Sequence, residues 1–450
     1  MSAVLGTPDE GAPGPPAPDA LAAPASASER AGPPRGPAVR FYVAVCLSLY
    51  GDWLTTVALL VVLFEVTHTP AAPAGYMVVR VAPRVAGPWL GGHLSDRFSP
   101  RVVMMSTSAV QGVLTVALIW SHRAGLIWAI YATVALAQFA GALGRPSHGA
   151  LIPSLVGERE LPRANAIYWL LFSTSIFVAP AIGALLLGPV GPDPLFAIDA
   201  ATFVICTLLI ATLPTGRPPG VAIDRSVSRR RGESALREAL RQPGIRMVAA
   251  ANFASGLTIT VTQALLVVAA HERFGGDAAV GYLYSSVGIG GALGGLIALR
   301  WIPSRAWTRL AVFLAITTEL VALAAFCGST VPLLALGLLG ISTLAGSSFD
   351  TWGATEIQRS APPGLMGRYN SVIFIALNSG MFVGALWALA TANSLHWDVA
   401  VEAACAAMLI LVGVVWIWGG RPSSLPIEGE LAREGPPVRA FVGAPPTAPE

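Results

Sequence analysis

Between Phe41 and Gly419 the chain alternates long apolar stretches with short polar punctuation. The stretches run about 19 to 25 residues, the length at which an α-helix crosses a ~30 Å hydrocarbon layer. They predict helices near 41–64, 72–93, 102–121, 124–144, 164–188, 194–213, 247–270, 278–299, 310–328, 331–349, 369–391 and 397–419. Seven of these twelve spans carry no formal charge, which helices inside soluble proteins seldom manage over such lengths. The joints are short: Ser329-Thr330 separates two spans, and Pro70, Pro194 and Pro332 stand where helices stop or start.

Composition agrees with the pattern. Only 12% of the 450 residues are charged and 54% are hydrophobic, against roughly 25% charged in a soluble domain. Residues 1–40, rich in Ala, Pro and Gly and without an apolar leader core, are expected to form a disordered tail, so that the first span acts as its own uncleaved targeting signal. The remaining divisions are a first six-helix bundle over 41–213, an Arg-rich linker over 214–246, a second bundle over 247–419 and a second disordered tail over 420–450. Cys46, Cys206, Cys327 and Cys405 are far apart in apolar runs and read as packing residues.

All 28 basic residues are arginine, which removes P-loop, Schiff-base and kinase-type lysine chemistry. Neither ATP nor nucleic acid is expected as a partner, and no cofactor or metal. The six histidines lack His-x-x-x-His spacing and no Gly-x-Ser-x-Gly elbow occurs, so no catalytic site is read and the chain is not expected to be an enzyme.

The arginines give the orientation. Loops after odd-numbered spans hold Arg123 and Arg273; those after even-numbered spans, together with the tails, hold 24, and Arg80 and Arg84 lie inside span 2. Basic residues stay on the cytoplasmic side, so both termini and the linker are expected there, in the plasma membrane. The linker, with Arg229-Arg230-Arg231 and an amphipathic stretch at Ala235, Leu236, Ala239 and Leu240, reads as a segment lying against anionic headgroups.

A slide of about 205 residues brings Gly51 onto Gly256, Gly75-Tyr76 onto Gly281-Tyr282 with one residue of slip, and Arg163-Ala164-Asn165 onto Arg368-Tyr369-Asn370. The fold class expected is thus an all-α integral membrane protein of twelve transmembrane helices in two parallel six-helix repeats, the architecture of secondary transporters that hold substrate between halves.

The segment Gly92-His93-Leu94-Ser95-Asp96-Arg97-Phe98-Ser99-Pro100-Arg101 resembles the signature between helices 2 and 3 of the major facilitator superfamily, with Ser99 and Pro100 departing from the usual glycine and basic residue. The resemblance implies a cytoplasmic latch at Gly92, Asp96, Arg97 and Arg101. The second-half counterpart, Arg300 to Arg305, has no acid. Ala179-Pro180-Ala181-Ile182-Gly183-Ala184 is similar to the helix 5 signature of facilitator antiporters, which gives Ala179, Pro180 and Gly183 a role in bending or close packing. Gly51-Asp52, Arg80-x-x-Pro83, Leu161 to Ala166 and Asp199 to Phe203 resemble the branch with macrolide and siderophore exporters. Ala135 stands one turn before Gln138, where many proton-coupled drug exporters carry arginine.

Charges within the bilayer are functional suspects. Asp52 and Arg80 fall at nearly equal depth, roughly 16 Å and 12 Å from opposite membrane faces at 1.5 Å per residue; Arg84 follows one turn on. Separating such a carboxyl from the guanidinium favours a bound proton, and reuniting them favours its release; a purely structural ion pair is the competing reading. Glu319 is a further coupling candidate, or a structural partner inside the bundle. Asp199, Asp350, Asp398 and Glu402 lie nearer span ends and are expected to reach water or headgroups. In span 7, Asn252, Ser255, Thr258, Thr262 and Gln263 share an arc of about 140° and are candidates to line a substrate cavity, with helix packing as the other use of the same hydroxyls. Trp53, Phe253, Tyr282 and Tyr284 add aromatic surface suited to a bulky amphipathic ligand.

What the resemblance implies is a monomeric secondary transporter that exports a small amphipathic compound, such as an antibiotic, another natural product or a siderophore, by proton antiport. Nutrient uptake by symport, or a transporter-like sensor, are the alternatives.

Overall fold

A computed structural model describes residues 35–156, 160–214, 240–360 and 366–418. Regular structure among them is helical throughout: α1 (Arg35–Thr67), α2 (Ala71–Arg97), α3 (Pro100–Arg123), α4 (Ile127–Leu155), α5 (Leu161–Val190), α6 (Pro192–Ala211), α7 (Pro243–Arg273), α8 (Asp277–Arg300), α9 (Arg305–Gly328), α10 (Pro332–Ser360), α11 (Met366–Thr391) and α12 (Trp397–Trp418). Ten are long and apolar enough over their described residues to cross a membrane. The other two are α2, in which Arg80 and Arg84 interrupt the apolar run, and α5, of which the described apolar stretch is Thr174–Val190. The amphipathic stretch expected before Pro243, save Leu240, and the tail beyond 418 lie outside the described residues.

Several ends differ from the sequence expectation. The first helix begins at Arg35, within the stretch expected as a tail. The α4 helix continues through Pro146 to Leu155, well beyond residue 144, and so carries Arg145 and His148 on a helix rather than in a loop. The α10 helix continues to Ser360, bringing Asp350 and Glu356 inside. The α2 helix runs to Arg97, so the signature segment is mostly helix and its connection is Phe98-Ser99. There the two departures from the family pattern have a local reason. Ser99 is the N-cap of α3, its hydroxyl accepting from Val102 N at 3.3 Å, and Pro100 occupies the first turn, where no N–H is missed. Ser99→Ala is expected to cost about 1 kcal/mol in reversible unfolding of the detergent-solubilised protein, and Ser99→Asp close to nothing.

Between α5 and α6 the chain turns on Gly191, whose φ of 76° needs a residue without Cβ and whose N–H closes α5 on Leu187 O at 2.8 Å.

Helix packing follows one pattern twice. In the first half α1 packs on α5 and α6, α2 on α4, and α3 on α4 and α6; in the second α7 packs on α11 and α12, α8 on α10, and α9 on α10 and α12. The halves meet chiefly through α5 with α8 and α2 with α11. Consecutive helices run in opposite directions, so the even number places residue 35 and residue 418 on one side, called the terminal side below. On the opposite, far side the apolar core is continuous between halves, from Val57–Leu63 and Ala74–Met77 to α7 and α11. A separate cluster of Phe41, Met104, Ile152 and Ile210 fills the terminal side of the first half.

Candidate functional site

Arg80 of the first repeat and Tyr284 of the second bring buried polar atoms near each other, and α7 carries others. Arg80, only 1% exposed, stacks its guanidinium over the Trp53 ring at 4.2 Å from the centroid. Its Nε and Nη1 have no hydrogen-bond partner, nor has Nε of Arg84. Tyr284 of α8 brings a buried, unpartnered hydroxyl within the electrostatic reach of Arg80 and Tyr76. Thr262 Oγ1 and Gln263 Oε1 on α7 are also buried without partners. In lipid such atoms have no water to fall back on, so this region is polar for a reason other than packing.

Asp52 and Arg80 form no ion pair here; the Asp52 carboxylate has no hydrogen-bond partner among the described residues, although the charges of Arg80, Arg84 and Arg145 reach it. Instead Asp52 faces a cavity of about 20 Å³ inside the first half, lined also by Thr55, Tyr76, Gln111, Gln138 and Asp199. Asp199 is 1% exposed, contrary to the expectation that water or headgroups reach it, because α6 packs closely on α1 at Gly51. Thr55 donates to its Oδ2 at 2.7 Å.

Glu319 is likewise buried; its Oε1 accepts from Ser255 at 2.8 Å and its Oε2 has no partner, with Asp350 within electrostatic reach. The α7 stripe is divided. Asn252 and Thr258 bond to carbonyls of their own helix, Val248 O at 2.9 Å and Ala254 O at 3.0 Å, and are buried, while Thr262 and Gln263 keep unsatisfied atoms. Ser255 points to Glu319 inside the second half.

On α5, Ala179 and Pro180 are buried and the helix continues past Pro180. A Cβ on Gly183 would lie 3.3 Å from Leu54 Cα, which marks a close approach of α1 and α5. In the expected latch, the surroundings of Gly92 and of the Asp96 side chain lie outside those described; Arg97 is exposed, and Arg101 donates to Ala211 O at the end of α6. Sequence reasoning missed Arg145, Gln111 and Asp199 as neighbours of Asp52. The available signal was Pro146 within a helical run and two amides, Gln111 and Gln138, in otherwise apolar spans.

Aromatic contacts link the halves at mid-depth and on the far side. Phe172 and Phe374 lie 6.3 Å apart between ring centroids, Phe64 and His271 5.1 Å. On the far side a cavity of about 280 Å³ opens between Pro70, Leu265, Val268, His396, Trp397 and Ala400.

Residues 41–385 match the family model for the Major Facilitator Superfamily. The chain belongs to that superfamily. Superfamily relatives similar to it include the enterobactin exporter EntS of Shigella flexneri, 26% identical over 385 residues, 84% of this chain and 88% of that protein. An uncharacterized MFS-type transporter, y4rN of Sinorhizobium fredii, is 27% identical over 311 residues, 66% of this chain and 74% of the relative. Among solved structures, a variant of the nucleoside transporter NupG superposes with TM-score 0.64 at 14% identity, covering 86% of this chain and all of that one. A bacterial homologue of the iron transporter ferroportin, in an outward-facing state, gives 0.57 at 19% identity, covering 85% and 99%. The structural likenesses show the fold. The chain is therefore a multi-pass membrane protein of a transporter superfamily.

Proposed function

We propose that this protein exports a small amphipathic compound from the cell by alternating access, exchanging it for protons. The observation that carries the reading is the similarity to enterobactin exporters over 84% of the chain, which includes both halves. A siderophore of that chemical kind is the first compound to test, followed by antibiotics and other natural products. The protein sits in the plasma membrane with both termini cytoplasmic, in keeping with the arginine distribution. The buried polar atoms of Arg80, Tyr284, Thr262 and Gln263, with the ring of Trp53, form the wall that a bound compound meets when the halves part.

Coupling runs through Asp52. In the conformation described, Arg80 rests on Trp53; a movement of α2 against α1 that brings Arg80 to Asp52 drives a proton off, and one that withdraws it lets a proton return. Proton entry and exit on opposite sides then bias the conformational cycle without any catalytic chemistry.

The test is deletion and overexpression in the native host with metabolite profiling and a panel of toxic compounds. Export predicts a higher intracellular level of the substrate after deletion, and loss of transport under an uncoupler. A lower level after deletion would establish uptake instead, and flux indifferent to an uncoupler would remove the proton.

A further inference from the structure

Asp199 is held in an unusual way for a carboxylate. Thr202 turns its hydroxyl chiefly to the backbone oxygen of Asp199 at 2.7 Å, so its second contact, a donation to Asp199 Oδ1 at 3.4 Å, is long and leaves that oxygen poorly served. A hydrogen on Oδ1 reverses that contact and lets Asp199 donate to the Thr202 oxygen. The other oxygen, Oδ2, is already served by Thr55 at 2.7 Å. Across the 20 Å³ cavity stands Asp52, whose carboxylate has no hydrogen-bond partner among the described residues. Gln111, 9% exposed, turns into the same cavity an amide that makes no hydrogen bond to a described residue, and Gln138 does likewise. The volume admits one water, and the four groups are the polar partners such a water needs.

The charged and titratable surroundings differ for the two carboxyls. Asp52 is reached by Arg80, Arg84 and Arg145, while Tyr76 turns its hydroxyl hydrogen to Thr56. Asp199 is reached by Asp52 and otherwise meets Thr55, Thr202 and Gly51. Two carboxylates facing one small, largely buried cavity do not both ionise readily.

We propose that Asp199 is the second half of the coupling site: Asp52 and Asp199 hold one proton between them through a water in this cavity. When the proton is on Oδ1 of Asp199, Asp52 is the carboxylate. That proton passes to the water, which gives a proton to the Asp52 carboxylate, so one O–H bond breaks and one forms at each step and no net charge is created. The site lies within the first half, between α1 and α6, separate from the wall between the halves. This proposal rests on the proton-coupled reading above.

The experiment uses the full chain in detergent without substrate, so that its outcome is independent of transport direction. Thermal unfolding is followed across pH in sodium chloride and in choline chloride, for the wild type, Asp52→Asn, Asp199→Asn and the double variant. A proton bound only by the folded protein stabilises it as pH falls. The expected result is that each single variant removes the same part of that pH-dependent shift in unfolding temperature, that the double variant removes no more, and that the two salts give one curve. Additive losses, an unchanged curve for Asp199→Asn, or a sodium-specific stabilisation abolished by either variant would overturn the proposal. Should Asp199→Asn fail to assemble, infrared spectroscopy of Thr202→Val decides. Loss of the acceptor on Thr202 shifts the C=O stretch of a protonated Asp199, and an unshifted spectrum refutes the assignment. Gradient-driven flux that persists beside a negative result here refutes the pair and leaves export standing.

Discussion

Asp52→Asn is expected to give a folded, membrane-inserted protein whose transport no longer responds to an imposed pH gradient. Asparagine copies the shape of aspartate and stays polar but does not titrate. Because the Asp52 carboxylate bonds to no described residue, its replacement orphans no donor, and the usual cost of about 1–3 kcal/mol for a stranded buried partner does not arise. A structural ion pair would behave differently, since removing one member of a buried pair costs about 3–5 kcal/mol and lowers the yield of folded protein. The check is flux in proteoliposomes with and without the gradient, beside an unfolding curve. Normal gradient-driven transport by well-folded Asp52→Asn would remove the residue from the mechanism and point to Glu319, whose Oε2 is buried without a partner.

The second large effect is on the α7–α11 contact. Gly380 and Gly384 on α11 lie against the carbonyl oxygens of Phe253 and Leu257 on α7, and Gly256 on α7 lies against Leu377 O, in each case closer than a Cβ tolerates. The obstacle is backbone, which cannot swing aside as a side chain does, so a methyl group at these positions drives two helices apart along their length. Gly380→Ala and Gly384→Ala should each destabilise the protein by about 1–3 kcal/mol, the usual cost of overpacking. Gly337 and Gly413 provide controls, with nothing within 4 Å of a built Cβ. There alanine is expected to be neutral or to gain up to about 1 kcal/mol from helix propensity. Equal unfolding curves for Gly380→Ala and Gly337→Ala would show that the helices have room to part.

The run of helices was legible because a bilayer imposes one length on every crossing, and hydropathy reports length directly. Helix ends were less legible. The span expected to end at residue 144 passes through Pro146 to Leu155, and Arg145 thereby joins the charges around Asp52. Asp199 was misjudged because its distance from the end of a span measures depth, whereas its burial depends on which helix covers it; that cover is α1 at Gly51. Gln111 carried no charge to draw attention, although a lone amide in a run such as Ser108 to Leu118 must find partners somewhere. The α7 stripe shows the limit of periodicity. A hydroxyl that bonds back to its own helix, as Thr258 does, has the same spacing as one that faces a ligand.

The last helix of each half is pinned at both ends by arginine. At its start, Asp193 of α6 takes Arg123 at 2.7 Å and His122 at 2.8 Å, and Asp398 of α12 takes Arg273 at 2.5 Å and His396 at 2.7 Å. At its end, Ala211 O of α6 is held by Arg101, and Trp416 O of α12 by Arg309 at 2.6 Å, in the place where a helix C-terminus favours a cation. Every one of these pins stays within its own half. Each half is thus framed along one edge, with α6 and α12 tied at both ends to helices of their own half. The halves meet chiefly along α2 with α11 and α5 with α8, and Pro83 of α2 and Pro180 of α5 each remove a backbone hydrogen bond from a helix of those contacts, so the swing that alternating access calls for is expected there.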